Sequence, residues 1–557
     1  MKHRGSEIIC RLLERQGVEV VAGIPGGSNL PLYDALRDSA IRHVLARHEQ
    51  GAGFIAQGMA RVTGRPGVCL ATSGPGATNL LTAIADAKLD SVPLVAIMGQ
   101  VPLPMIGTDA FQEVDTYGLT LPITKHNFLV RSAAELLEVI PLAFTLAASG
   151  RPGPVVVDVP KDVQTASIEV GDWPEPGRAA PPAECDGAVL DAMAERIRRA
   201  ERPVLYLGGG VAQAGAGGLA RELAHRMQAP VVCTLMGLGA VPCDDPLCLG
   251  MLGMHGARHT NLLMDEADLL VVAGARFDDR ATGRAAEFCR HADILHIDID
   301  ASEIDKIKKS CVSLAADAGL ALEGLLARVA PAARPAWAAR LAALRAADPA
   351  PPAGDDPLLP QNLIRLIGEV STPDTVVSTD VGQHQMWTAQ GYPFRRPRRL
   401  LTSGGLGTMG FGLPAAIGAA LARPDLPVVC VSGDGSILMN VQELATLAEL
   451  DLNVKVVVMN NAHLGLVRQQ QELFYQGRYF ASSFSARPDF AAIARGFGLR
   501  GVDLGACADP AAALRAALSA PGPCLVNAPV HETENVLPMV PPGAANREMI
   551  GGSVHAN

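Results

Sequence analysis

Two polar side chains stand at the ends of neighbouring apolar strands in the segment GDGSILMNVQELATLAELDLNVKVVVMNN, residues 433–461. The flanking runs PVVCV and VKVVVM are short and β-branched, which is typical of buried strands. Apolar residues from Ile437 to Ala448 repeat at helical spacing and predict a helix between them. A strand–helix–strand unit closes as a parallel pair with a right-handed crossover. We therefore expect Asp434 and Asn461 to meet at one edge of a sheet.

These two side chains offer hard oxygen ligands beside glycines. Such ligands, together with phosphate oxygens and water, suit Mg²⁺. The backbone N–H groups of Gly433, Gly435 and the helix start suit a diphosphate. For an isolated Gly-Asp-Gly the alternative is a turn residue that only caps a helix, but the paired Asn460 and Asn461 weigh against it. The pattern resembles the diphosphate–magnesium motif of thiamine-diphosphate enzymes, which alone does not name a reaction.

A candidate acid opens a second helical run, in the sequence ARHEQGAGFIAQGMAR. Glu49 is followed by small and apolar residues at helical spacing. One interpretation is a carboxylate that stabilises a helix N-terminus. The other is a buried carboxyl group that favours its neutral form and hydrogen-bonds a ring nitrogen. Thiamine enzymes need one carboxyl group to do this at the aminopyrimidine, and the context of Glu49 resembles their activating Glu, so we favour the catalytic interpretation.

The composition indicates a well-packed α/β enzyme of several domains. The chain has 557 residues, of which 48% are hydrophobic and 19% charged, and at about 100–200 residues per domain this suggests three domains. The net charge of −10 argues against nucleic acid as a partner. The eleven cysteines form no C-x-x-C pair and no signal peptide is evident, so we expect a reducing, cytoplasmic location.

One uncharged stretch, which begins at Leu400, is long enough to span a bilayer. Its many glycines, its proline and its polar start favour a Gly-rich loop that leads into a buried helix. We therefore expect no membrane partner.

Two Pro/Ala-rich stretches, residues 171–187 and 329–360, are predicted linkers. The second contains a helical pattern around residues 338–347. Between the linkers, strands alternate with helical patterns throughout, which predicts doubly wound parallel sheets. The expected domains are residues 1–170, 188–330 and 360–557.

A series of motifs resembles the large subunits of acetohydroxyacid synthases over nearly the whole chain and in the same order. These motifs include ARHEQGAGFIAQGMAR, SGPGATNL, GTDAFQE, GRPGPVVVDVPKD, GMLGMHG, GARFDDR, DVGQHQMW, SGGLGTMGFGLPAAIGA and MVPPGAAN. The resemblance implies the thiamine-diphosphate-enzyme fold, with pyrimidine-binding, central flavin-binding and diphosphate-binding domains. It also implies the cofactors thiamine diphosphate, Mg²⁺ and FAD.

The family joins two 2-keto acids at the first common step of valine, leucine and isoleucine biosynthesis. Pyruvate is decarboxylated on thiamine diphosphate, and the hydroxyethyl unit is ligated to a second keto acid. The acceptor pyruvate gives 2-acetolactate, and the acceptor 2-ketobutyrate gives 2-aceto-2-hydroxybutyrate. The resemblance implies this carboligase activity for the chain.

Carried over residue by residue, the resemblance assigns the cofactor contacts. Asp434 and Asn461 would bind Mg²⁺ through their side chains, and His463 through its backbone carbonyl. Met409, in GLGTMGFG, matches the apolar residue that props the cofactor in its bent shape. The other implied thiamine diphosphate contacts are Pro25, Gly26, Gly382, Gln383, His384, Gly407, Gly433, Gly435, Ser436, Leu464 and Gly465.

The resemblance also implies a set of substrate-facing residues. Gln112, in GTDAFQE, matches a polar residue that faces the thiazolium ring, and Phe111 lies beside it. Lys161, in VPKD, and Arg280, in FDDR, match basic residues near the substrate entrance, where a carboxylate substrate favours positive groups. Arg280 is the better candidate for the acceptor's carboxylate. For a lone Lys or Arg the alternative is a surface salt bridge.

The middle block resembles the family's flavin domain, although a Gly-Gly-Gly run after a strand is weak evidence by itself. The ligation has no net redox change, so the implied FAD would be largely structural. The implied contacts lie in loops of this block, with one arginine before it: Arg151, Gly208, Gly209, Thr234, Leu235, Met236, His255, Arg276, Asp279, Asp298, Ile299 and Asp317.

One position departs from the family's pattern. Many members have a Trp in NNxHLGMVxQW that shapes the acceptor pocket, and Gln470 stands there in NNAHLGLVRQQ. A smaller polar side chain should contact the extra methylene of 2-ketobutyrate less well, and a methylene is worth about 1–3 kcal/mol. We therefore predict a weak acceptor preference, as in a subtype resembling the bacterial isozyme I form. The usual sensitivity to herbicides that stack on the Trp is also put in question.

The positions of the two motifs bear on assembly. In the family, the activating Glu and the magnesium motif meet across subunits, which implies a homodimer with active sites at the interface and leaves a tetramer open. No regulatory domain is appended, so a separate small regulatory subunit is expected. The remaining expected partners are the small 2-keto acids.

Three related activities and one non-enzymatic role are the alternatives. A pyruvate oxidase would share both cofactors, but GTDAFQE and FDDR argue against it. A catabolic acetolactate synthase lacks FAD and would be separated by its absorbance spectrum. Glyoxylate carboligase has no Glu at the position of Glu49. A catalytically silent cofactor-binding scaffold is disfavoured because Glu49, Asp434 and Asn461 are all present.

Overall fold

The structure, a computed structural model, describes residues 2–349, 354 and 356–551. Met1, residues 350–353 and 355 of the expected second linker, and residues 552–557 of the expected third domain lie outside the described residues. Three six-stranded sheets follow one another along the chain, and every strand pair within them is parallel. The predicted fold class is confirmed.

The first sheet has the strand order β3-β2-β4-β5-β7-β6. A short antiparallel pair, β1 with β8, ties the N-terminus to the end of this region. The strands are β1 (Lys2–Arg4), β2 (Val20–Gly23), β3 (Arg42–Leu45), β4 (Gly67–Ala71), β5 (Leu94–Gln100), β6 (His126–Leu129), β7 (Pro154–Pro160) and β8 (Ser167–Glu169). The helices are α1 (Gly5–Arg15), α2 (Leu30–Arg37), α3 (Glu49–Thr63), α4 (Pro75–Leu89), α5 (Thr116–Thr120), α6 (Leu136–Ala148) and α7 (Lys161–Thr165).

The second sheet has the strand order β11-β10-β9-β12-β13-β14. Its strands are β9 (Pro203–Leu207), β10 (Val231–Cys233), β11 (Cys248–Met251), β12 (Leu269–Ala273), β13 (Asp293–Asp298) and β14 (Val312–Ala315). The helices are α8 (Gly187–Arg199), α9 (Gly209–Gln213), α10 (Gly217–Met227), α11 (Arg258–Glu266), α12 (Asp279–Thr282), α13 (Ala318–Leu326) and α14 (Pro335–Ala347). Helix α14 is the helical piece predicted within the second linker, and it packs on α11.

The third sheet has the strand order β16-β15-β17-β18-β20-β19. Its strands are β15 (Val376–Thr379), β16 (Leu400–Leu401), β17 (Val428–Gly433), β18 (Val454–Asn460), β19 (Arg500–Asp503) and β20 (Cys524–Pro529). The helices are α15 (Pro360–Val370), α16 (Gln383–Gly391), α17 (Gly412–Ala422), α18 (Asp434–Ile437), α19 (Glu443–Leu450), α20 (Gly465–Phe474), α21 (Phe490–Gly496) and α22 (Pro510–Ser519).

The central strands are buried along their whole length, as continuous apolar runs predict for parallel sheets covered on both faces. Every residue of β5, β7, β12 and β17 is buried. The stretch from Leu400 begins with the short strand β16 and continues as the expected Gly-rich loop into the buried helix α17. Among the described residues, no helix is both long and apolar enough to cross a membrane.

Helices α3 and α17 bring the first and third sheet regions together around a shared core. Phe54 and Ile55 of α3 belong to the same buried cluster as Ala415 and Ile417 of α17. A Cβ atom on Gly58 would collide with the carbonyl of Ala415, and one on Gly418 with the carbonyl of Ile55. The two backbones therefore touch at positions where only glycine leaves room.

We predict that Gly418→Ala lowers the thermal denaturation midpoint by about 3–10 °C, because overpacking a core costs roughly 1–3 kcal/mol. Gly218→Ala is the matched control, since Gly218 lies in α10 with open space around its Cα. Thermal denaturation followed by circular dichroism measures both. Equal midpoints for Gly418→Ala and the wild type would contradict the tight helix contact.

Candidate active site

The predicted meeting of Asp434 and Asn461 is borne out at the adjacent ends of β17 and β18. The Asp434 carboxylate is buried and faces the N–H groups of Gly435, Ala462 and His463. The Asn461 amide oxygen accepts a hydrogen bond from the His463 N–H at 3.1 Å. The ring nitrogen Nδ1 of His463 lies 2.7 Å from the Asn461 carbonyl oxygen. The backbone carbonyl of His463 remains the candidate ligand at this residue.

These donors fit a small divalent cation. A carboxylate, an amide oxygen and a backbone carbonyl are all hard oxygen ligands of the kind Mg²⁺ takes together with phosphate oxygens. Burial raises the pKa of Asp434 to about 6, against the lowering effect of the N–H groups around it, and a bound cation would restore the charged form. Among the described residues no group of three or more His, Cys, Asp and Glu side chains clusters, as expected for a set with one carboxylate.

The helix predicted between these strands is interrupted. Helix α18 ends at Ile437 and α19 begins at Glu443, with turns between them. Asn440 explains the break, because its side-chain amide donates to the Gly410 carbonyl at 2.8 Å. A side-chain hydrogen bond to a distant loop thus overrides the helical spacing of the apolar residues.

Three segments form a cradle beside this site, and they contain most of the residues assigned to the diphosphate end. The side-chain oxygen of Gln383 accepts from Asn461 at 3.0 Å, and a Cβ on Gly465 would strike both side chains. A Cβ on Gly433 would meet the His384 ring, and one on Gly435 would meet Leu464. Ser436 donates to the Val381 carbonyl at 2.7 Å, beside Gly382.

His384 carries an unused hydrogen-bonding atom in this cradle. Its Nε2 is buried and has no partner among the described residues. Burial lowers the pKa of His384 to about 3, so the ring is neutral. The one proton of the neutral ring is directed at the Asp380 backbone carbonyl, so Nε2 can donate to a phosphate oxygen only when the ring carries both protons, a form that the charge of a diphosphate would favour. The cradle therefore fits a diphosphate group.

Gly407 and the half-buried Met409 lie on the loop between β16 and α17. The end of this loop is fixed by Asp380, which the sequence analysis did not single out. Its Oδ1 accepts from the Gly410 N–H at 2.7 Å and its Oδ2 from Ser432 at 3.0 Å. Asp380 is fully buried and burial raises its pKa to about 6. Asp380 directly follows β15, as Asp434 directly follows β17. This position after a buried strand could have predicted Asp380 from the sequence.

Glu49 begins α3 as predicted and is buried. Its Oε2 accepts a hydrogen bond from the Asn79 side chain at 2.9 Å. Its Oε1 faces Gly76, where a Cβ would stand 3.4 Å away. Next to this carboxyl, a Cβ on Gly26 would strike the Thr72 side chain, so Pro25 and Gly26 line the same end of the first sheet.

Glu443 of α19 holds the start of α3 from the third sheet region. Its buried Oε1 accepts from the backbone N–H groups of Arg47 at 2.9 Å and His48 at 3.1 Å. A Cβ on Gly51 would collide with this carboxylate. No local sequence pattern indicates this contact, because its partners lie almost 400 positions apart.

Asp158, another buried acid that no sequence pattern indicated, anchors the loop that carries Gln112. Gln100 donates through Nε2 to the Asp158 carboxyl and to the Val114 carbonyl, both at 3.0 Å. Gln112 itself has a positive φ of 59°, and its backbone packs on Gly74. Phe111 beside it projects from the surface and is 88% exposed.

The two basic candidates lie apart from these acids. Lys161 is half-buried at the start of α7. The Arg280 side chain is 66% exposed and lies 3.8 Å from the Asp279 carboxylate. Within the described part of the chain the guanidinium has this weak pair and a 3.8 Å contact with the Met254 sulfur as its polar partners, so it is free to meet a carboxylate.

The flavin candidates gather at the carboxyl ends of the second sheet, where ligands of open α/β sheets bind. Gly208 packs on the backbone of Gly274, and Gly209 on Met236, with Thr234 and Leu235 in the same turn. Burial lowers the pKa of His255 to about 4. Ile299 is exposed, Arg276 is half-buried, and burial raises the pKa of Asp298.

Two other flavin candidates already have structural partners. Asp317 caps α13 through the N–H groups of Gly319 and Leu320. Arg151 pairs with Asp300 at 3.1 Å and Glu303 at 2.7 Å. These contacts account for Asp317 and Arg151 without a ligand.

Gln470 lies on the outward face of α20 and lines an open cavity of about 520 Å³. Val467, Tyr475 and Arg478 line the same cavity. The preceding residue, Gln469, points inward and is fully buried. Gln470 therefore faces an open space at the surface, and its part in an acceptor pocket stays a prediction.

The candidates thus form two half-sites, one around Glu49 and one around Asp434. Among the described residues, no hydrogen bond or ion pair joins Glu49 to Asp434 or Asn461. Glu49 and Asp434 are both buried, and Glu443 of the third sheet region also holds the backbone just before Glu49.

Comparisons with known proteins agree with this division. Three family models match: the N-terminal TPP binding domain of thiamine pyrophosphate enzymes at residues 3–119, the central domain at 190–325 and the C-terminal TPP binding domain at 380–528. The chain is 57% identical over 550 residues to the acetolactate synthase isozyme 1 large subunit of Escherichia coli (strain K12), covering 98% of this chain and 97% of that one.

Two further relatives extend the similarity. The isozyme 2 large subunit of the same organism is 48% identical over 552 residues, covering 98% of this chain and 99% of its own. The chloroplastic acetolactate synthase 1 of Nicotiana tabacum is 45% identical over 567 residues, covering 98% and 85% respectively.

Asp158 should make the stability of the fold depend on pH. Burial, with a smaller effect from Asp115, raises its pKa to about 7 although Gln100 donates to it, and its Oδ1 has no partner among the described residues. The unfolded value is about 4, so the stability that this carboxyl contributes is lost as pH rises from about 4 to 7.

Asp158→Asn keeps an oxygen for Gln100 but cannot ionise. We predict that its denaturation midpoint matches that of the wild type near pH 4 and exceeds it near pH 8. The exposed Asp34→Asn is the control and should follow the wild type at both values. An Asp158→Asn variant less stable than the wild type by the same margin at both values would contradict the prediction.

Proposed function

Because the chain belongs to the acetolactate synthase large subunits among the thiamine pyrophosphate enzymes, we propose how its residues share the ligation of two 2-keto acids. The activity is thiamine-diphosphate-dependent carboligation, in the biosynthesis of branched-chain amino acids. The observation that carries the assignment of roles is the pair of buried half-sites, with Glu49 in one and the Asp434–Asn461 edge in the other. Residues 1–170, 188–330 and 360–557 would bind the pyrimidine, the flavin and the diphosphate respectively.

The third domain would bind the diphosphate end. Asp434, Asn461 and the His463 carbonyl would hold Mg²⁺, and Nε2 of His384 would contact a phosphate oxygen. The cofactor supplies a nucleophilic carbon and an electron sink for decarboxylation. The glycine backbones of this cradle let the phosphates approach closely.

Glu49 would hold a proton at the pyrimidine. Asn79 fixes its Oε2, which leaves Oε1 to meet a ring nitrogen, and Glu443 fixes the backbone just before it. A carboxyl group in a dry pocket can donate a hydrogen bond in its neutral form. The chain thus provides a positioned acid rather than a mobile one.

Two basic side chains and Gln112 would orient the keto acids. Arg280 is the proposed partner of the acceptor's carboxylate, because a guanidinium binds carboxylates in a bidentate manner and this one has only a weak partner. Lys161 would add positive charge at the entrance. Gln112 would face the reacting carbon from a backbone fixed against Gly74.

FAD would bind at the carboxyl ends of the second sheet. The support is the close backbone approach at Gly208 and the buried, neutral His255. Carboligation needs no redox step, so the flavin contacts would serve to order this region.

A second copy of the chain would complete each active site. Among the described residues no hydrogen bond joins Glu49 to Asp434 or Asn461, and three large apolar side chains are exposed: Phe111 at 88%, Phe480 at 85% and Met439 at 53%. Such patches mark interaction surfaces. We propose a homodimer, with pairing into tetramers left open, and a separate small regulatory subunit. Eleven free cysteines support a reducing, cytoplasmic location.

We expect Glu49→Gln to lower kcat for acetolactate formation by about 10²–10⁴-fold, the range for loss of an acid–base group. Gln keeps an oxygen for Asn79, so the fold and cofactor binding should persist. Glu7→Gln, in the first turn of α1, is the control. Activity of Glu49→Gln close to that of the wild type would overturn the assigned role.

The acceptor pocket is tested by competition between pyruvate and 2-ketobutyrate. Gln470→Trp should shift the product ratio toward 2-aceto-2-hydroxybutyrate by about tenfold, because a good pocket gains that much from one methylene. Gln470→Ala adds no contact and should keep the wild-type ratio. An unchanged product ratio in Gln470→Trp would show that Gln470 does not line the acceptor pocket. Absence of both products with the wild-type chain would contradict the proposed activity.

A further inference from the structure

The loop that carries Gly407 and Met409 is held at its two ends by different domains. Its C-terminal end is bound within the third domain, where Gly410 donates to Asp380 and accepts from Asn440. Its N-terminal part, residues 403–408, is bound within its own domain by the Gln385 side chain, which donates to the Ser403 carbonyl at 3.2 Å. Gly404, Gly405 and Gly407 give it little conformational stiffness of its own.

Two carboxylates of the first domain, Asp86 in α4 and Asp90 directly after the last residue of α4, bind this N-terminal part. Asp90 accepts from the backbone N–H groups of Gly404 at 3.0 Å and Gly405 at 2.7 Å. Asp86 accepts from the hydroxyl of Thr408 at 3.1 Å and from the hydroxyl of Ser403. Four donors within six residues are thus bound by a helix more than 300 positions away.

Arg61 of α3 completes the arrangement. Its Nη2 lies 3.3 Å from the Asp86 carboxylate and 2.8 Å from that of Asp90. Its guanidinium also stacks over the ring of Phe411, 4.9 Å from the centroid, at the far end of the loop. Both carboxylate side chains are fully buried, and the arginine side chain is only 7% exposed.

Joining two domains through two buried carboxylates and one guanidinium carries a large desolvation penalty. Replacing buried ion networks with apolar residues is often neutral or stabilising, so stability alone does not explain the group. Hydrogen bonds that backbone N–H groups donate to charged acceptors are, however, short and directional. They fix backbone geometry more tightly than apolar packing does. The bound backbone is the one that leads into Met409.

We propose that Asp86, Asp90 and Arg61 are positioning residues that hold loop 403–408 in the conformation that binds thiamine diphosphate. The inference rests on the proposed function, because it assigns Gly407 and Met409 to the cofactor. Glu49 acts from the first domain on one end of the cofactor. Asp86 and Asp90, which also belong to the first domain, act on the loop of the third domain in the same chain.

The structure offers a matched set of variants. Asp90→Asn replaces one acceptor oxygen with a donor that faces Arg61 and the glycine N–H groups. Thr408→Val removes a hydroxyl donor at constant shape, and Thr408→Ser retains it. Asp245→Asn is the control, because Asp245 is a buried carboxylate bound by Arg221 and His225 in the central domain, away from the loop.

The experiment is isothermal titration calorimetry of each full-length variant with thiamine diphosphate, in the presence of Mg²⁺ and FAD. Steady-state kcat at saturating cofactor and the denaturation midpoint are recorded beside it. We expect Asp90→Asn to weaken binding by at least about tenfold, which corresponds to about 1.4 kcal/mol. Thr408→Val should weaken it less, Thr408→Ser should match the wild type, and kcat at saturation should fall less than the affinity.

Wild-type affinity in both Asp90→Asn and Thr408→Val would overturn the inference. So would equal weakening in Asp90→Asn and Asp245→Asn, since that would indicate general loosening of the fold. If Asp90→Asn does not fold, the comparison of Thr408→Val with Thr408→Ser decides. Absence of binding by the wild-type chain would instead overturn the proposed function, and this inference with it.

Discussion

The close contact between α3 and α17 is the constraint on which the rest of the structure depends. Gly58 and Gly418 let the two helix backbones touch, and this fixes the first sheet region against the third. Glu49 opens α3, and the loop with Met409 runs directly into α17. One helix contact therefore sets the location of residues from both half-sites.

Buried acids recur at the points where segments from different regions meet. Asp380 holds the end of the Met409 loop, Glu443 holds the start of α3, and Asp158 supports the loop of Gln112 through Gln100. Each of these carboxyl groups has a pKa that burial raises. Hydrogen-bonded acids thus place the backbone of the functional loops, while apolar packing forms the sheets beneath them.

The sequence was informative wherever the signal was local. Apolar runs predicted the parallel strands, and the strand–helix–strand unit predicted that Asp434 and Asn461 would meet, which the structure confirms. The prediction of a continuous helix between β17 and β18 was wrong. The hydrogen bond from Asn440 to Gly410 crosses 30 positions, so no local pattern reveals it. Asp86, Asp90 and Glu443 looked like ordinary helix carboxylates, since nothing in a local pattern reveals partners that lie hundreds of residues away.

Asp86 and Asp90 also bear on how the chain folds during synthesis. Asp86 and Ser403 are 317 positions apart, and the apolar face of α3 is covered by α17. When the first domain leaves the ribosome, its buried acids have no donors from the loop and its helix face has no cover. Domains generally fold as they emerge, and transiently exposed apolar surface promotes aggregation. The helix face of the first domain can be covered only after about three-quarters of the chain, up to the end of α17, has been translated.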